Sequence, residues 1–323
     1  MLLVSVTIDG AVCRVSNEEL ALAHNWRQHI ISFGPIHYAI QKNHGGHGAI
    51  SYGGIVFSPD LFDDVGKWPP PTSMTMTVQH TASDEERAVT LFVGVAHMAE
   101  LTLDGVAYDI YPPAYAETVA AATVYADSLN SVLTSILTGI SGIDAVDTSL
   151  ARSPSPAVAH TTGNDQIAIT LASDIAAFFG HFFWVSGGTA YLVDMAADNG
   201  STDMTEFEIF ADPPPRYWFN PPVAVVKTDT LSAMSGYSYG KELSVAPYQT
   251  SEALVLAAME SIVYRENSLR ASIAIPLGSV LPQLGERLTW TDTALSTATG
   301  CYIRARNIRY DFDRDEVIVE GEG

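Results

Sequence analysis

The stretch Ile169–Asp194, ITLASDIAAFFGHFFWVSGGTAYLVD, decides how the centre of the chain is organised. The composition of Thr170–Phe179 is typical of a short helix, whereas Phe182–Val193 predicts two strands joined at a Gly-Gly turn. The apolar run Ile175–Met195 is long enough to span a bilayer, but His181 and the two glycines interrupt it. We therefore predict a helix followed by a β-hairpin, and no membrane span.

Upstream of this stretch, Ala116–Gly139 predicts one amphipathic helix. Its apolar residues recur at spacings of three and four, the period of a helix face; they are Leu129, Val132, Leu133, Ile136 and Leu137. Together with the helix and hairpin that follow, this helix predicts a small α+β block over residues 113–204.

The segment before this block, residues 1–112, is β in character. Val4, Val6 and Ile8 precede Asp9-Gly10, and Leu101 and Leu103 precede Asp104-Gly105, so each site predicts a hairpin whose turn needs positive φ. Between them, Thr72–Thr81 places Met74, Met76 and Val78 on one face, which is typical of a half-buried strand.

The segment after the block, residues 205–323, returns to the β pattern. Ser251 can cap one helix that runs to Asn267, and the predicted buried stripe of that helix is Leu254, Ala258, Ile262 and Val263. Four strands follow it: Ala271–Ile275, Arg287–Thr291, Tyr302–Phe312 and Glu316–Glu320. The sequence therefore predicts an α+β protein that is mainly β, in which the segment 205–323 forms a second β-domain or completes the first.

The charge of the chain excludes one class of partner. Its 323 residues include 37 acidic and 16 basic ones, a formal net charge of -21. Binding to phosphate backbones by charge neutralisation needs clustered Lys and Arg, so we do not expect it. Cys13 and Cys301 are too few for a disulfide scaffold and are expected to be buried thiols. The N-terminus lacks a basic leader, so we expect no signal peptide and assembly in a cytoplasm.

His44 and His47, in NHGGHG, are the best candidates for a metal site. Neutral imidazoles suit zinc, copper or nickel, but the spacing supplies no third ligand. We therefore interpret the segment as a Gly-rich loop and expect neither a metal nor another cofactor.

Two acidic clusters are the candidates for paired catalytic carboxylates. They consist of Asp60, Asp63 and Asp64, and of Asp84, Glu85 and Glu86. No neighbouring sequence indicates which carboxyl would be shielded enough to hold a proton. Serine-hydrolase and nucleotide-binding signatures are also missing, so we expect a non-enzymatic protein.

Tyr217, Trp218 and Phe219 follow three prolines and are candidates for an exposed contact surface. The aromatic run Phe178–Trp184 is interpreted as core, because a small block has few other large residues to bury.

The order of these segments resembles the tail hub or baseplate hub proteins of tailed bacteriophages. The local likeness lies in Ile169–Asp194, in Pro222–Thr228 (PVAVVKT), and in the closing run Leu284–Asp292 (LGERLTWTD) that leads to Cys301–Phe312 and Glu316–Gly321. The resemblance implies two tail-tube-like β-barrel domains, 1–112 and 205–323, with the α+β domain 113–204 inserted. Gly34–Gly54 has no counterpart in the family and is interpreted as an insertion that faces a neighbouring tail protein.

The resemblance also implies a role and partners. A hub is a ring, here a homotrimer, that joins the tail tube to distal tail, tip or fibre proteins of the virion and conducts DNA during ejection. Because the two acidic clusters lie on predicted turns of the β-domain, we expect some of their six residues to face the lumen. The alternatives are a hexameric distal tail adaptor, a receptor- or carbohydrate-binding module, and a cell-wall hydrolase.

Overall fold

The computed structural model describes residues 2–17, 27–40, 48–52, 54–81, 89–111, 123–161, 166–186, 188–196, 201–204, 209, 215–277, 282, 284–290 and 301–323. Within these ranges the strands are β1 (Leu2–Ile8), β2 (Ala11–Ser16), β3 (Arg27–Gln28), β4 (Ile30–Phe33), β5 (Ile36–Ile40), β6 (Gly48–Tyr52), β7 (Ile55–Phe57), β8 (Ser73–His80), β9 (Val89–Leu101), β10 (Val106–Tyr111), β11 (Val124–Ser128), β12 (Ala145–Leu150), β13 (Ala157–Thr161), β14 (His181–Ser186), β15 (Thr189–Asp194), β16 (Ser201–Asp203), β17 (Arg216–Phe219), β18 (Val223–Lys227), β19 (Ser232–Met234), β20 (Lys241–Ser244), β21 (Leu269–Pro276), β22 (Arg287–Trp290), β23 (Cys301–Asp311) and β24 (Glu316–Glu322). The helices are α1 (Asp60–Asp64), α2 (Leu129–Leu137), α3 (Ala168–Phe178) and α4 (Glu252–Glu266). The predicted fold class, α+β and mainly β, is confirmed.

The first large sheet has the order β3-β2-β1-β8-β9-β10-β7-β4. Its first predicted hairpin turn is confirmed, because Asp9 and Gly10 have φ of 48° and 82°. The second hairpin also forms, but Gly105 does not have positive φ. A Cβ at Gly105 would lie 2.7 Å from Cγ1 of Val56, so this glycine is required for space and not for turn conformation.

The second large sheet has the order β16-β22-β23-β24-β21-β17, and β5 and β6 join it through β23. Strand β5 pairs antiparallel with β6 and with β23, where His37 lies opposite Arg309. The segment interpreted as an insertion facing another protein therefore supplies two strands to a sheet of its own chain. Residues 41–47, between these strands, lie outside the described ranges.

The described residues form two hydrophobic cores. The first joins the inner faces of both large sheets, for example Val6 and Phe57 with Ile273 and Val319. The second contains α2, α3 and the β14–β15 hairpin, and it also contains side chains of β18 and α4, including Val226 and Met259. Residues on both sides of the predicted boundary at 204 thus share one core.

The central block contains the predicted helix and hairpin, as α3, β14 and β15. The long helix predicted over Ala116–Gly139 is wrong at Val124–Ser128, which forms β11 and pairs with β13. Ser128 ends the strand and begins α2, because its side-chain Oγ accepts a hydrogen bond from the amide of Ser131. Residues 116–122 lie outside the described ranges.

Helix α4 begins after Ser251 as predicted, although the Ser251 side chain makes no capping hydrogen bond. The predicted stripe is partly wrong, since Leu254 is 56% exposed. The buried face is Val255, Met259, Ile262 and Val263. Helix α4 lies in the segment 220–268, which connects two neighbouring strands of the second sheet. Phe219 at the end of β17 and Leu269 at the start of β21 are antiparallel partners. The domain boundaries themselves stay a prediction.

Candidate functional site

The described acidic cluster lies on α1, a single helical turn. Leu61 and Phe62 of this turn are buried, so Asp60, Asp63 and Asp64 are held exposed on its outer side. Asp64 accepts a hydrogen bond from Nη1 of Arg27 at 2.8 Å, and Nε2 of His29 lies 3.3 Å from the same oxygen. Asp60 and Asp63 form no ion pair with any described residue.

The other predicted acids and the two candidate metal ligands are not described. Asp84, Glu85 and Glu86, like His44 and His47, lie outside the described ranges. Within those ranges, no group of three or more His, Cys, Asp or Glu side chains could hold a metal ion. No helix of the described chain is long and apolar enough to cross a membrane. Cys13 is half-buried, and burial raises the pKa of its thiol.

The aromatic candidates lie on β17, at an edge of the second sheet. Tyr217 turns inward and stacks on Trp290, with ring centroids 6.4 Å apart, and its Oη accepts a hydrogen bond from Nε1 of Trp290 at 3.2 Å. Trp218 and Phe219 are 36% and 66% exposed. The exposed part of the predicted contact surface therefore consists of Trp218 and Phe219.

A group of arginines beside this edge was not predicted from the sequence. Arg265 lies in the last turn of α4, Arg270 is the second residue of β21, and Arg306 lies in β23. Glu322 in the last strand forms ion pairs with Arg270, at 2.5 Å, and with Arg306. Arg265 has no carboxylate partner among the described residues: its Nη2 donates to the carbonyl of Ala177 at 2.9 Å and its Nη1 lies 2.8 Å from Sδ of Met195.

The surroundings of these arginines disfavour their charge. Burial, together with the positive charges of Arg270 and Arg152, lowers the pKa of Arg265 to about 10, against the opposing effect of Glu266. Burial and the charges of Arg265 and Arg270 likewise lower the pKa of Arg306. Such crowding of like charges is costly unless anionic groups compensate it.

A cavity of about 510 Å³ lies between the central block, the second sheet and the segment 220–268 that contains α4. All three arginines line it. Phe178, Tyr248 and Trp218 supply aromatic wall, and the exposed residues Lys241, Ser244 and Ala246 lie at its rim. Sequence spacing does not reveal this site, because its walls come from elements that are far apart in the chain.

Arg152, His181 and Asp194 form a hydrogen-bonded group within the central block. Arg152 donates from Nε and Nη2 to the two carboxylate oxygens of Asp194, both at 2.9 Å. The backbone amide of Arg152 donates to Nε2 of His181, so Nδ1 of that ring donates to the carbonyl of Phe179. Burial lowers the pKa of His181, and the ring is neutral in this arrangement.

Comparison with known proteins gives a class for this fold. No protein-family model and no curated protein matches the sequence. A tail protein from Neisseria meningitidis aligns with a TM-score of 0.64 at 12% identity, over 100% of this chain and 96% of its own. The 43 kDa tail protein of a Shewanella oneidensis prophage aligns at 0.61 and 9% identity, over 99% and 97%.

A third solved structure extends the class beyond phages. It is an Escherichia coli component of the type VI secretion system, described as structurally similar to the bacteriophage T4 tail proteins gp27 and gp5. It aligns with a TM-score of 0.53 at 11% identity, over 91% of this chain and 73% of its own. The chain therefore has a fold similar to that of phage tail proteins and of a component of the type VI secretion system. The resemblance stated from the sequence is confirmed at the level of fold.

Proposed function

We propose that this chain is a structural component of a bacteriophage tail tip: a ring-forming hub that joins the tail tube to the tip proteins and conducts DNA during ejection. The observation that carries the proposal is the alignment with two tail proteins over nearly their whole length and nearly all of this chain. A match of this extent includes both large sheets and the central block. Its place is then the virion tail, and its role needs no bond to be made or broken.

The surface of the first sheet suits association with other subunits. Leu103, at the β9–β10 turn, is 98% exposed, and Leu101 and Ile31 nearby are 45% and 54% exposed. Exposed apolar side chains that lie together favour burial against a partner. We infer that this end of the sheet meets a neighbouring subunit or a neighbouring tail protein.

We propose a homotrimer because each chain contributes two large sheets. Three copies then place six sheets around one axis, which matches a six-fold tube to a three-fold tip. In a closed ring every contact is repeated by symmetry, so a weak single interface is sufficient.

The charge of the chain agrees with a role in DNA passage. A lumen of like charge repels phosphates and keeps the DNA from adhering. The net charge is -21, and Asp60 and Asp63 are exposed without an ion pair to the described residues. We propose that α1, and with it the second acidic cluster at 84–86, faces this lumen.

Native mass spectrometry and electron microscopy of the purified full chain test the assignment. We expect trimers that appear as rings with a central pore. Hexamers would instead identify the distal tail adaptor, and a protein that stays monomeric at high concentration would overturn the ring hub. A ring with α1 on its outer surface would overturn only the lumen assignment.

The exposed pair Trp218 and Phe219 favours one second candidate, a receptor- or carbohydrate-binding module. Aromatic faces stack on sugar rings, and these two exposed side chains lie at a sheet edge, on opposite faces of β17. Glycan-array binding that is lost in W218A and retained in Y264A, which removes a tyrosine that is 75% exposed on α4, would favour this function.

A further inference from the structure

We propose that the cavity between the central block, α4 and the second sheet binds a monovalent organic carboxylate with an aromatic or aliphatic body, held by Arg265 and Arg306. This binding site is separate from the proposed ring contacts and from the acidic α1 turn. It rests on the described residues of the cavity and not on the proposed hub function.

The first argument is the donors that the cavity leaves unused. The Nε atoms of Arg265, Arg270 and Arg306 are all buried and have no hydrogen-bond partner. The three side chains line the same cavity. A buried donor without an acceptor costs free energy, and an anion in the cavity would supply the acceptors.

The second argument is charge. Glu322 compensates Arg270 and Arg306 together, and Arg265 has no carboxylate partner among the described residues. An anion placed beside Arg265 would therefore give this guanidinium a direct ion-pair partner, which none of the lining carboxylates of Asp174, Glu266, Glu320 and Glu322 provides. The lowered pKa of Arg265 reflects the burial and like-charge repulsion that such an anion would relieve.

The third argument selects the chemical class of the anion. Asp174, Glu266, Glu320 and Glu322 also line the cavity, so a doubly charged phosphate would be repelled more strongly than a single carboxylate. Phe178, Trp218 and Tyr248 offer apolar contact area that an inorganic ion leaves unused. Arginine pairs with carboxylates in a planar, two-point geometry, which suits a carboxylate attached to an apolar group.

The same chemistry occurs in a free small molecule and at the C-terminus of a neighbouring chain. The probes are therefore 3-phenylpropionate and a short peptide that ends in phenylalanine with a free carboxyl group. Their neutral controls are 3-phenylpropanamide and the amidated peptide, and inorganic phosphate is the control for charge without an apolar body.

Isothermal titration calorimetry on the full chain measures binding, and a change in intrinsic tryptophan fluorescence that is absent in W218F is a second readout. We expect 3-phenylpropionate to bind once per chain, and its amide to bind about tenfold more weakly or not at all. Binding of the free-carboxyl peptide as well identifies a chain terminus as the natural ligand, and binding of the small acid alone identifies a free metabolite.

Two variants test the site itself. R265Q removes the unpaired cation, and we expect binding to weaken about tenfold or more. A246W narrows the rim from an exposed position, so it tests the cavity even if R265Q fails to fold, and we expect it to abolish binding. R309Q is the control, because Arg309 is paired with Asp311 outside the cavity. The proposal is overturned if no probe binds, if acid and amide bind equally, if phosphate binds better than the acid, or if A246W binds as the wild type does.

Discussion

Gly285 lies directly against the ring of Phe182. A Cβ at Gly285 would be 2.1 Å from Cζ of Phe182, and Gly285 also has φ of +79°. Phe182 belongs to β14 of the central block, and Gly285 lies just before β22 of the second sheet. The absence of a side chain at one position therefore lets the central block and the second sheet pack together.

This contact predicts a large effect of G285A. Alanine would be strained at positive φ and would also overlap the phenyl ring, so we expect a loss of about 3 kcal/mol in the free energy of unfolding. Gly10 is the matched control, because it has φ of +82° and open space around its Cα. We expect G10A to lose only about 1 kcal/mol in urea denaturation. Equal losses in the two variants would contradict the close contact.

The pair Arg152–Asp194 predicts a second difference in stability. D194N removes a buried carboxylate that receives two hydrogen bonds from the guanidinium group, and we expect a loss of about 2 kcal/mol because Arg152 is partly exposed. D64N, in an ion pair that is about half exposed on both sides, is the control and should change stability by less than about 1 kcal/mol.

The same pair has a defined dependence on pH. Burial acts to raise the pKa of Asp194, but the hydrogen bonds from Arg152 and from the amide of Ala196 lower it below the ordinary 3.8. Its contribution is therefore present above pH 4 and is lost as the pH falls through the folded-state pKa. D194N should lack this acid-dependent loss, and a parallel loss in wild type and D194N would contradict the assignment.

His80 predicts how stability changes between pH 7 and pH 4.5. Burial lowers the pKa of His80 from 6.5 to about 4. Between these pH values His80 is protonated in the unfolded chain but stays neutral in the folded chain. The free energy of unfolding therefore falls as the pH falls. We expect H80Q to remove about 2 kcal/mol of this change, measured by denaturation at several pH values.

The control for H80Q is H97Q, since His97 is exposed on β9. We expect H97Q to change the free energy of unfolding at pH 7 by less than about 0.5 kcal/mol. His37, His160 and His181 also have pKa values lowered by burial, so part of the slope should remain in H80Q. A slope that H80Q leaves unchanged would show that His80 accepts its proton in the folded chain.

Helix α4 supplies a prediction that distinguishes the observed buried face from the stripe predicted by sequence. M259A removes a fully buried side chain of the second core and should cost about 3 kcal/mol. L254A alters a residue that is 56% exposed, and we expect a change below about 0.5 kcal/mol. Thermal unfolding checks this order. A larger loss of stability in L254A than in M259A would show that the buried face is the one predicted from the sequence.

The local pattern of residues predicted the elements whose contacts are close in sequence. Alternation identified β8, with Met74, Met76 and Val78 buried, and the Asp-Gly pair identified the β1–β2 turn. Pattern failed at Val124–Ser128, where an Ala-rich context suggested helix and pairing with β13 imposed a strand. It also failed at Leu254, because one register step along a helix is not resolved without knowing the partner surface.

The sequence by itself determined the β–α+β–β order, the excess of acidic over basic residues and the hairpin of the central block, because these depend on periodicity, composition and turn chemistry along short segments. Only the tertiary structure decided that β5 and β6 join the second sheet, that α4 shares a core with α2 and α3, and that Arg265, Arg270 and Arg306 meet at one cavity. The reason is physical. Hydrogen bonds between distant strands and the packing of side chains from separate elements produce no periodic pattern in the local sequence.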